Sequence, residues 1–179
     1  MTPDNGSVVF LPGAGKTVRL PGHEITFVHS RPEDAYSLVE WVSAPGVPGT
    51  PLHIHRVTDE AFYVLDGTFG FQVGERMVEG GAGAFFYVPK GLEHAYWNQG
   101  LRSAKMLITM SPPGFERYFE ELAEGLAAVG EDAEAAMSVR EALSEKHDVE
   151  VVGPPRQAAG YKRATWVRIK SKPHFHTVS

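Results

Sequence analysis

From Val8 to about Ser111, apolar and polar residues come in short runs separated by turn residues, without a sustained helical period. The segments VVFL, TVRL, EITFVHS, AYSLVEWVSA, PLHIHR and EAFYVL are rich in β-branched and aromatic residues, which suit a pleated, half-buried surface. Gly and Pro clusters such as LPG, APGVPGT and EGGAG punctuate them. Asp66-Gly67, between EAFYVL and TFGFQV, has the composition of a tight hairpin turn. Many short strands at regular spacing predict a barrel or a two-sheet sandwich. No internal duplication is visible, so the pattern predicts one barrel and not two.

The period changes after Pro112-Pro113-Gly114. Phe115, Tyr118, Phe119, Leu122 and Leu126 fall at i, i+3, i+4, i+7 and i+11, one apolar stripe of an amphipathic helix. Glu116, Glu120, Glu121 and Glu124 occupy its other faces. A second helix, about Asp132 to His147, carries a weaker stripe of Met137, Val139 and Leu143, and VEVVGPP then reads as a loop leading out of the helices. The expected organisation is a β-barrel over residues 1–112, helices packed on it over 113–150, and a basic tail over 151–179.

Composition narrows the chemistry. A chain of 179 residues has the length of one domain plus some extra. Cysteine is absent, which removes disulfides, thiolate metal sites and cysteine nucleophiles together. A metal site here must use imidazole and carboxylate, which favours Fe, Mn, Ni, Co or Zn over Cu(I). MTPDNGSVVF has neither a basic n-region nor an apolar h-region, and runs such as GAFFYVP are too short to cross a bilayer. The expectation is a cytoplasmic protein without a membrane partner. A net charge of −5 argues against nucleic acid as a partner. That charge is uneven: beyond Pro155 stand Arg156, Lys162, Arg163, Arg168, Lys170 and Lys172 with no acid among them. Such a tail can dock in cis or across a dimer, or stay solvated.

The candidate chemistry lies in PLHIHRVTDEAFYVLDG. Side chains alternate along a strand, so His53 and His55 point the same way, about 7 Å apart, and Ile54 the other way. Glu60 opens the next strand after a four-residue gap and brings a carboxylate beside them. GAFFYVPKGLEHAYWN supplies His94 just after the Pro89-Lys90-Gly91 turn. Three imidazoles and one carboxylate suit one divalent transition metal, and in octahedral geometry they leave two positions open. Alternation from Glu60 sends Phe62 and Val64 inward, and alternation from His94 does the same for Tyr96. Phe69, Phe71, Phe86 and Tyr87 are further candidates for an aromatic pocket. Phe62, Phe71 and Tyr96 are the residues we expect against a substrate, and aromatic walls suit a flat or apolar organic molecule.

These residues resemble the two motifs of the cupin family. The first, H-x-H-x(3,4)-E-x(6)-G, stands as His53, His55, Glu60 and Gly67. The second, G-x(5)-P-x-G-x(2)-H-x(3)-N, stands as Gly83, Pro89, Gly91, His94 and Asn98. One departure is the leading glycine of the first motif, which is Val47 here, flanked by Gly46 and Gly49. The resemblance covers roughly Leu38 to Pro112. It implies a mainly β fold, a double-stranded β-helix or jelly-roll barrel, here with a C-terminal helical segment. It also implies a homodimer and a metal held by His53, His55, Glu60 and His94.

Within the family, VTDEAFYVLDGTF and MSPPGFERYFEEL resemble the single-barrel proteins similar to quercetin 2,3-dioxygenase. That resemblance implies oxidative cleavage of a flavonol or related enol by dioxygen, with Glu60 as ligand or as base on the substrate hydroxyl. The helix from Phe115 to Leu126 would then pack over the barrel mouth and restrict water. Two alternatives stand beside it: a redox-neutral isomerase or cyclase of small-molecule metabolism, and a non-catalytic small-molecule binder.

Other signals are weaker. GAGKT at residues 13–17 mimics the end of a phosphate loop, but Phe10 stands where such a loop needs Gly and a strand pattern follows. His174 and His176 form a second H-x-H pair without a following Glu. His23, His29 and His147 are isolated and read as structural or solvated.

Overall fold

The computed structural model describes residues 9–156 and 166–167. Its first strands are β1 (Lys16–Leu20), β2 (His23–His29), β3 (Ser37–Ser43), β4 (Pro51–Ile54) and β5 (Asp59–Asp66). There follow β6 (Thr68–Val73), β7 (Arg76–Gly81), β8 (Phe85–Val88), β9 (His94–Asn98) and β10 (Ala104–Ser111). Two helices, α1 (Arg117–Val129) and α2 (Ala133–Lys146), lead to β11 (Glu150–Pro155) and β12 (Trp166–Val167). The strands form two six-stranded sheets, ordered β1-β2-β3-β10-β5-β8 and β11-β4-β9-β6-β7-β12. Among the described residues no helix is long and apolar enough to cross a membrane.

The period-2 pattern sets the faces of the first sheet. Ser37, Val39, Trp41 and Ser43 of β3 are buried, as are Ala104, Met106, Ile108 and Met110 of β10. Glu60, Phe62 and Val64 of β5 point inward while Tyr63 and Leu65 are exposed. In the β5–β10 register Phe62 lies opposite Ile108 and Glu60 opposite Met110. A one-residue slip would turn Phe62 and Val64 out, forfeiting about 1.5–3 kcal/mol for each large apolar side chain exposed. Register therefore aims Glu60 into the barrel.

The second sheet is buried on more than one face. All five residues of β9 are buried, because Trp97 lies against Gly70 of β6 on the face opposite Tyr96. A Cβ at Gly70 would stand 2.5 Å from the Trp97 ring, so only glycine lets the indole approach. Gly67, at φ 73°, makes the β5–β6 turn expected of Asp66-Gly67. Asn98 ties the barrel end through main chain alone, donating to the carbonyls of Ser43 (2.9 Å) and Arg102 (2.8 Å) and accepting from the Gly100 N–H.

The first helix follows its stripe, and the second does so only in part. Phe119 and Leu122 of α1 are buried, with Phe115 just before it. Asp132 caps α2 by accepting from the N–H groups of Glu134 and Ala135 at 3.0 Å. No residue of α2 is buried, and Met137 is exposed. The weaker stripe packs on α1, with Val139 against Gly125.

One segment differs from its sequence reading. VEVVGPP, read as a loop, forms β11, antiparallel to β4. Its Gly153-Pro154-Pro155 end signals a loop by composition, yet β11 is an edge strand, where a missing N–H costs no ladder bond. Of the basic C-terminal residues, Arg156 donates to Gln72 Oε1 at 2.9 Å, and its carbonyl accepts from the Gly49 N–H. Lys162, Arg163, Arg168, Lys170, Lys172, His174 and His176 lie outside the described residues.

Candidate metal centre

Three strands and one strand end deliver four buried side chains to one point. His53 sits on β4 opposite His94, which opens β9; His55 lies just past the end of β4, and Glu60 is the second residue of β5. None of the four is more than 6% exposed. One ligand atom from each lies within 4.8 Å of the others, and the His53 and His94 rings are 4.2 Å apart.

The imidazoles are oriented from behind. His53 Nδ1 meets the Pro51 carbonyl at 2.8 Å, His94 Nδ1 the Leu92 carbonyl at 3.1 Å, and His55 Nδ1 the Asp148 carbonyl. A carbonyl only accepts, so each Nδ1 carries a proton, and Nε2 of His53 and of His55 is left as the lone-pair atom. His94 Nε2 donates to the Glu60 carboxylate when it is protonated and becomes a lone-pair atom once that proton leaves. Glu60 Oε2 stands 2.7 Å from His94 Nε2 and 3.5 Å from His55 Nε2. His55 Nε2 is buried without a hydrogen-bond partner. Buried polar atoms are rarely left so, and an atom that can only accept in this tautomer fits a cation. The set can hold a metal ion.

The charges agree with that geometry. Burial holds the His53 pKa down to about 3, helped by His94 and His55, so this ring is neutral at pH 7. For Glu60 burial pushes up, but His55, His94 and His53 together outweigh it and bring the carboxyl to about 2. Burial would lower His94 too, but its bond to Glu60 raises it instead. Proton and metal thus compete for the same Glu60–His94 pair.

Above the ligands lies a small cavity of about 40 Å³, room for a few waters. His53, Glu60, Tyr96 and Thr50 form its floor and side, Tyr118 and Phe119 come from the first turn of α1, and Phe115 from just before it. Val149 and Val151 close it from the α2–β11 side. Of the three aromatic residues singled out in the sequence, Tyr96 lines this space. Phe62 and Phe71 are fully buried and pack beside Tyr96, with ring centroids 5.2 and 6.0 Å from its own. Phe86 stacks on Phe71 at 3.9 Å, whereas Tyr87 is exposed. Burial pushes the Tyr96 phenol well above its usual value, so it stays a hydrogen-bond donor. A larger open groove of about 550 Å³ near Phe10, His29 and Tyr36 contains no comparable ligand set.

The isolated histidines have structural partners. His23 meets the Pro48 carbonyl at 3.0 Å, His29 pairs with Asp34 at 2.8 Å, and His147 with Glu121 at 3.2 Å. The GAGKT segment leads straight into β1.

Residues 39–110 match the family described as the cupin domain. The chain carries a cupin domain. Solved cupin-fold structures agree with it over the barrel. KdgF from Halomonas sp. is 20% identical with a TM-score of 0.56, covering 62% of this chain and 98% of its own. The polyketide cyclase RemF from Streptomyces resistomycificus is 24% identical at 0.51, covering 60% and 82%. The Streptomyces nucleoside dehydratase Pac13 is 18% identical at 0.50, covering 62% and 87%. At these identities the likeness speaks for the fold. No curated protein matches the chain.

Beyond this cupin core, sequence reasoning missed Asp148 and Val149. Both belong to the turn before β11, and nothing in their composition signals a link to His55 more than 90 residues earlier.

Proposed function

We propose that this cupin is a metal-dependent enzyme acting on a flat enolic or phenolic small molecule, by dioxygen-dependent cleavage of a flavonol-like substrate. The observation that carries the reading is Glu60, a carboxylate 3% exposed whose Oε2 lies 2.7 Å from His94 Nε2 and 3.5 Å from His55 Nε2, with His53 completing the cluster. His53, His55 and His94 would hold the ion through Nε2, and Glu60 through a carboxylate oxygen. Bound there, a divalent transition metal supplies a Lewis acid that acidifies a substrate hydroxyl and a means of engaging dioxygen.

The chain's own residues do the rest. Glu60 is ionised at neutral pH and accepts the hydroxyl proton of the substrate, a role worth about 10²–10⁴-fold in rate. Tyr96 keeps its proton and donates a hydrogen bond to a second substrate oxygen. Phe115 and Phe119 give the ring system apolar walls and keep water out. The cavity is far smaller than a flavonol, so the start of α1 moves outward to admit one.

A redox-neutral cyclase or isomerase is the second reading. It is favoured by the polyketide cyclase and the nucleoside dehydratase among the similar folds. It needs the same proton transfer at Glu60 and no dioxygen. The test is dioxygen uptake by metal-reconstituted protein on a flavonol panel, with Glu60→Gln as control. Uptake matched to product, and lost in a Glu60→Gln protein that retains metal, supports the dioxygenase. Turnover that persists without dioxygen supports the second reading. Full activity in Glu60→Gln removes the role given to that residue in both.

A further inference from the structure

The segment joining His55 to Glu60 is held by one residue from far along the chain. Arg56, Val57 and Thr58 direct three consecutive main-chain N–H groups at the Asp148 carboxylate, at 2.7, 3.0 and 2.7 Å. Successive N–H groups of this kind form a concave anion site, and their bonds to a carboxylate are charge-assisted. Asp148 fills that site from the turn between α2 and β11. Its own main-chain carbonyl accepts the Nδ1–H of His55, the bond that leaves Nε2 facing Glu60.

Two further connections of this linker run to the second motif. The Gly91 N–H donates to the His55 carbonyl at 2.6 Å, and the Lys90 N–H to Asp59 Oδ1 at 2.8 Å. Those contacts link the two motif loops to each other. Asp148 brings the helical segment into the same frame, beside the β11–β4 ladder and the contact of Phe115 with the His55 ring. Its neighbours reinforce the attachment: Val149 is buried against the cavity, and Glu150 pairs with Arg56 at 2.5 Å.

From this geometry we infer that Asp148 is the positioning residue of the metal centre, coupling ion binding to docking of the α1–α2 segment. The inference rests on the four-ligand reading above, but not on any choice of reaction. Side-chain loss at Asp148 frees three N–H groups beside two ligands and loosens the turn that presents the carbonyl to His55. Partners behind metal ligands typically change affinity by about 10–100-fold. Coupling is reciprocal, so bound metal must in turn tighten the turn at residues 147–150.

The experiment is Co²⁺ titration of wild type, Asp148→Ala, Asp148→Asn and Glu150→Gln, read by the visible Co²⁺ spectrum. Glu150→Gln weakens the exposed ion pair to the Arg56 side chain and leaves both the main-chain bonds to the Asp148 carboxylate and the Asp148 carbonyl bond to His55 in place. The expected result is affinity about 10–100-fold weaker in Asp148→Ala with an altered spectrum, partial recovery in Asp148→Asn, and near wild-type affinity in Glu150→Gln. Should Asp148→Ala not fold, amide exchange on wild-type protein decides. Co²⁺ must then slow exchange at residues 56–58 and 147–150, and unchanged exchange there overturns the inference. Wild-type binding with equal affinity and spectrum in a folded Asp148→Ala overturns the inference alone. Wild-type protein that takes up no Co²⁺ overturns it together with the metal centre.

Discussion

Glu116 is the residue whose removal best tests how α1 is fastened over the barrel mouth. Its side chain is 2% exposed, and its carboxylate accepts from Ser30 Oγ at 2.5 Å, Ser37 Oγ at 2.8 Å and the Gly114 N–H at 2.7 Å. One side chain thus joins the β2–β3 loop, the start of β3 and the entry to α1. Hydrogen bonds to a charged acceptor contribute about 1.5–3 kcal/mol each, so three set an upper bound near 4.5–9 kcal/mol. Relief of the buried charge in Glu116→Ala returns several kcal/mol of that. The expected net destabilisation is about 2–4 kcal/mol, read as a lower urea midpoint at unchanged m-value, with chelator present to remove metal linkage. Glu116→Gln keeps one acceptor and should cost about half as much.

The pH dependence supplies a second check. Burial alone would raise the Glu116 pKa, but Ser30, Gly114 and Ser37 together hold it below 4.5. A carboxyl depressed in the folded state stabilises above its unfolded value, and that contribution fades as pH falls through the folded value. The gap between wild type and Glu116→Gln should therefore be full at pH 7 and shrink below about pH 4.5. An unchanged midpoint for Glu116→Ala at pH 7, or a gap that widens on acidification, refutes the reasoning.

Two further outcomes follow from the cavity and the ligand set. Phe115 packs on His55 at 4.2 Å and on Tyr118 at 5.3 Å, so Phe115→Ala should cost about 3 kcal/mol in urea unfolding and widen the space above the metal. A bulky flavonol should then show a lower KM, and an unchanged KM would mean that Phe115 does not limit entry. Metal at a hundredfold excess over its dissociation constant should stabilise the fold by about 2.7 kcal/mol, and chelator should reverse this. Calorimetry with and without chelator reads the difference as a Tm shift of about 5–10 °C. No shift would argue against a bound metal.

How far the sequence carried these conclusions depended on the distance over which each feature is encoded. The buried cluster of His53, His55, Glu60 and His94, which could hold a metal, was legible because strand alternation and short connections place its members locally. His53 and His55 share a face by period, Glu60 opens the next strand after a four-residue gap, and His94 follows the Pro89-Lys90-Gly91 turn. The α1 stripe was legible for the same reason, since Phe115, Tyr118, Phe119 and Leu122 recur at helical spacing. The facing of Phe62, Val64 and Tyr96 was correct as counted from neighbouring ligands, but facing does not say which buried ring borders empty space. That depends on what packs opposite. Tyr96 borders the cavity together with Tyr118 and Phe119 of α1, whereas Phe62 and Phe71 pack on each other and behind Tyr96.

Asp148 and β11 lay beyond local reasoning for a physical cause. An edge strand needs only one partner, so its sequence need not alternate, and Gly153-Pro154-Pro155 is tolerated where no ladder donor is used. A lone aspartate before a valine carries no pattern, because its meaning comes from three main-chain N–H groups some 90 residues earlier. Those N–H groups belong to every residue type except proline, so no choice of side chains at Arg56, Val57 and Thr58 announces the site. The ligands of this centre are written in side chains, and much of what holds them in place is written in backbone. A reading of side-chain motifs therefore reaches the four ligands and stops short of the residue that orients His55.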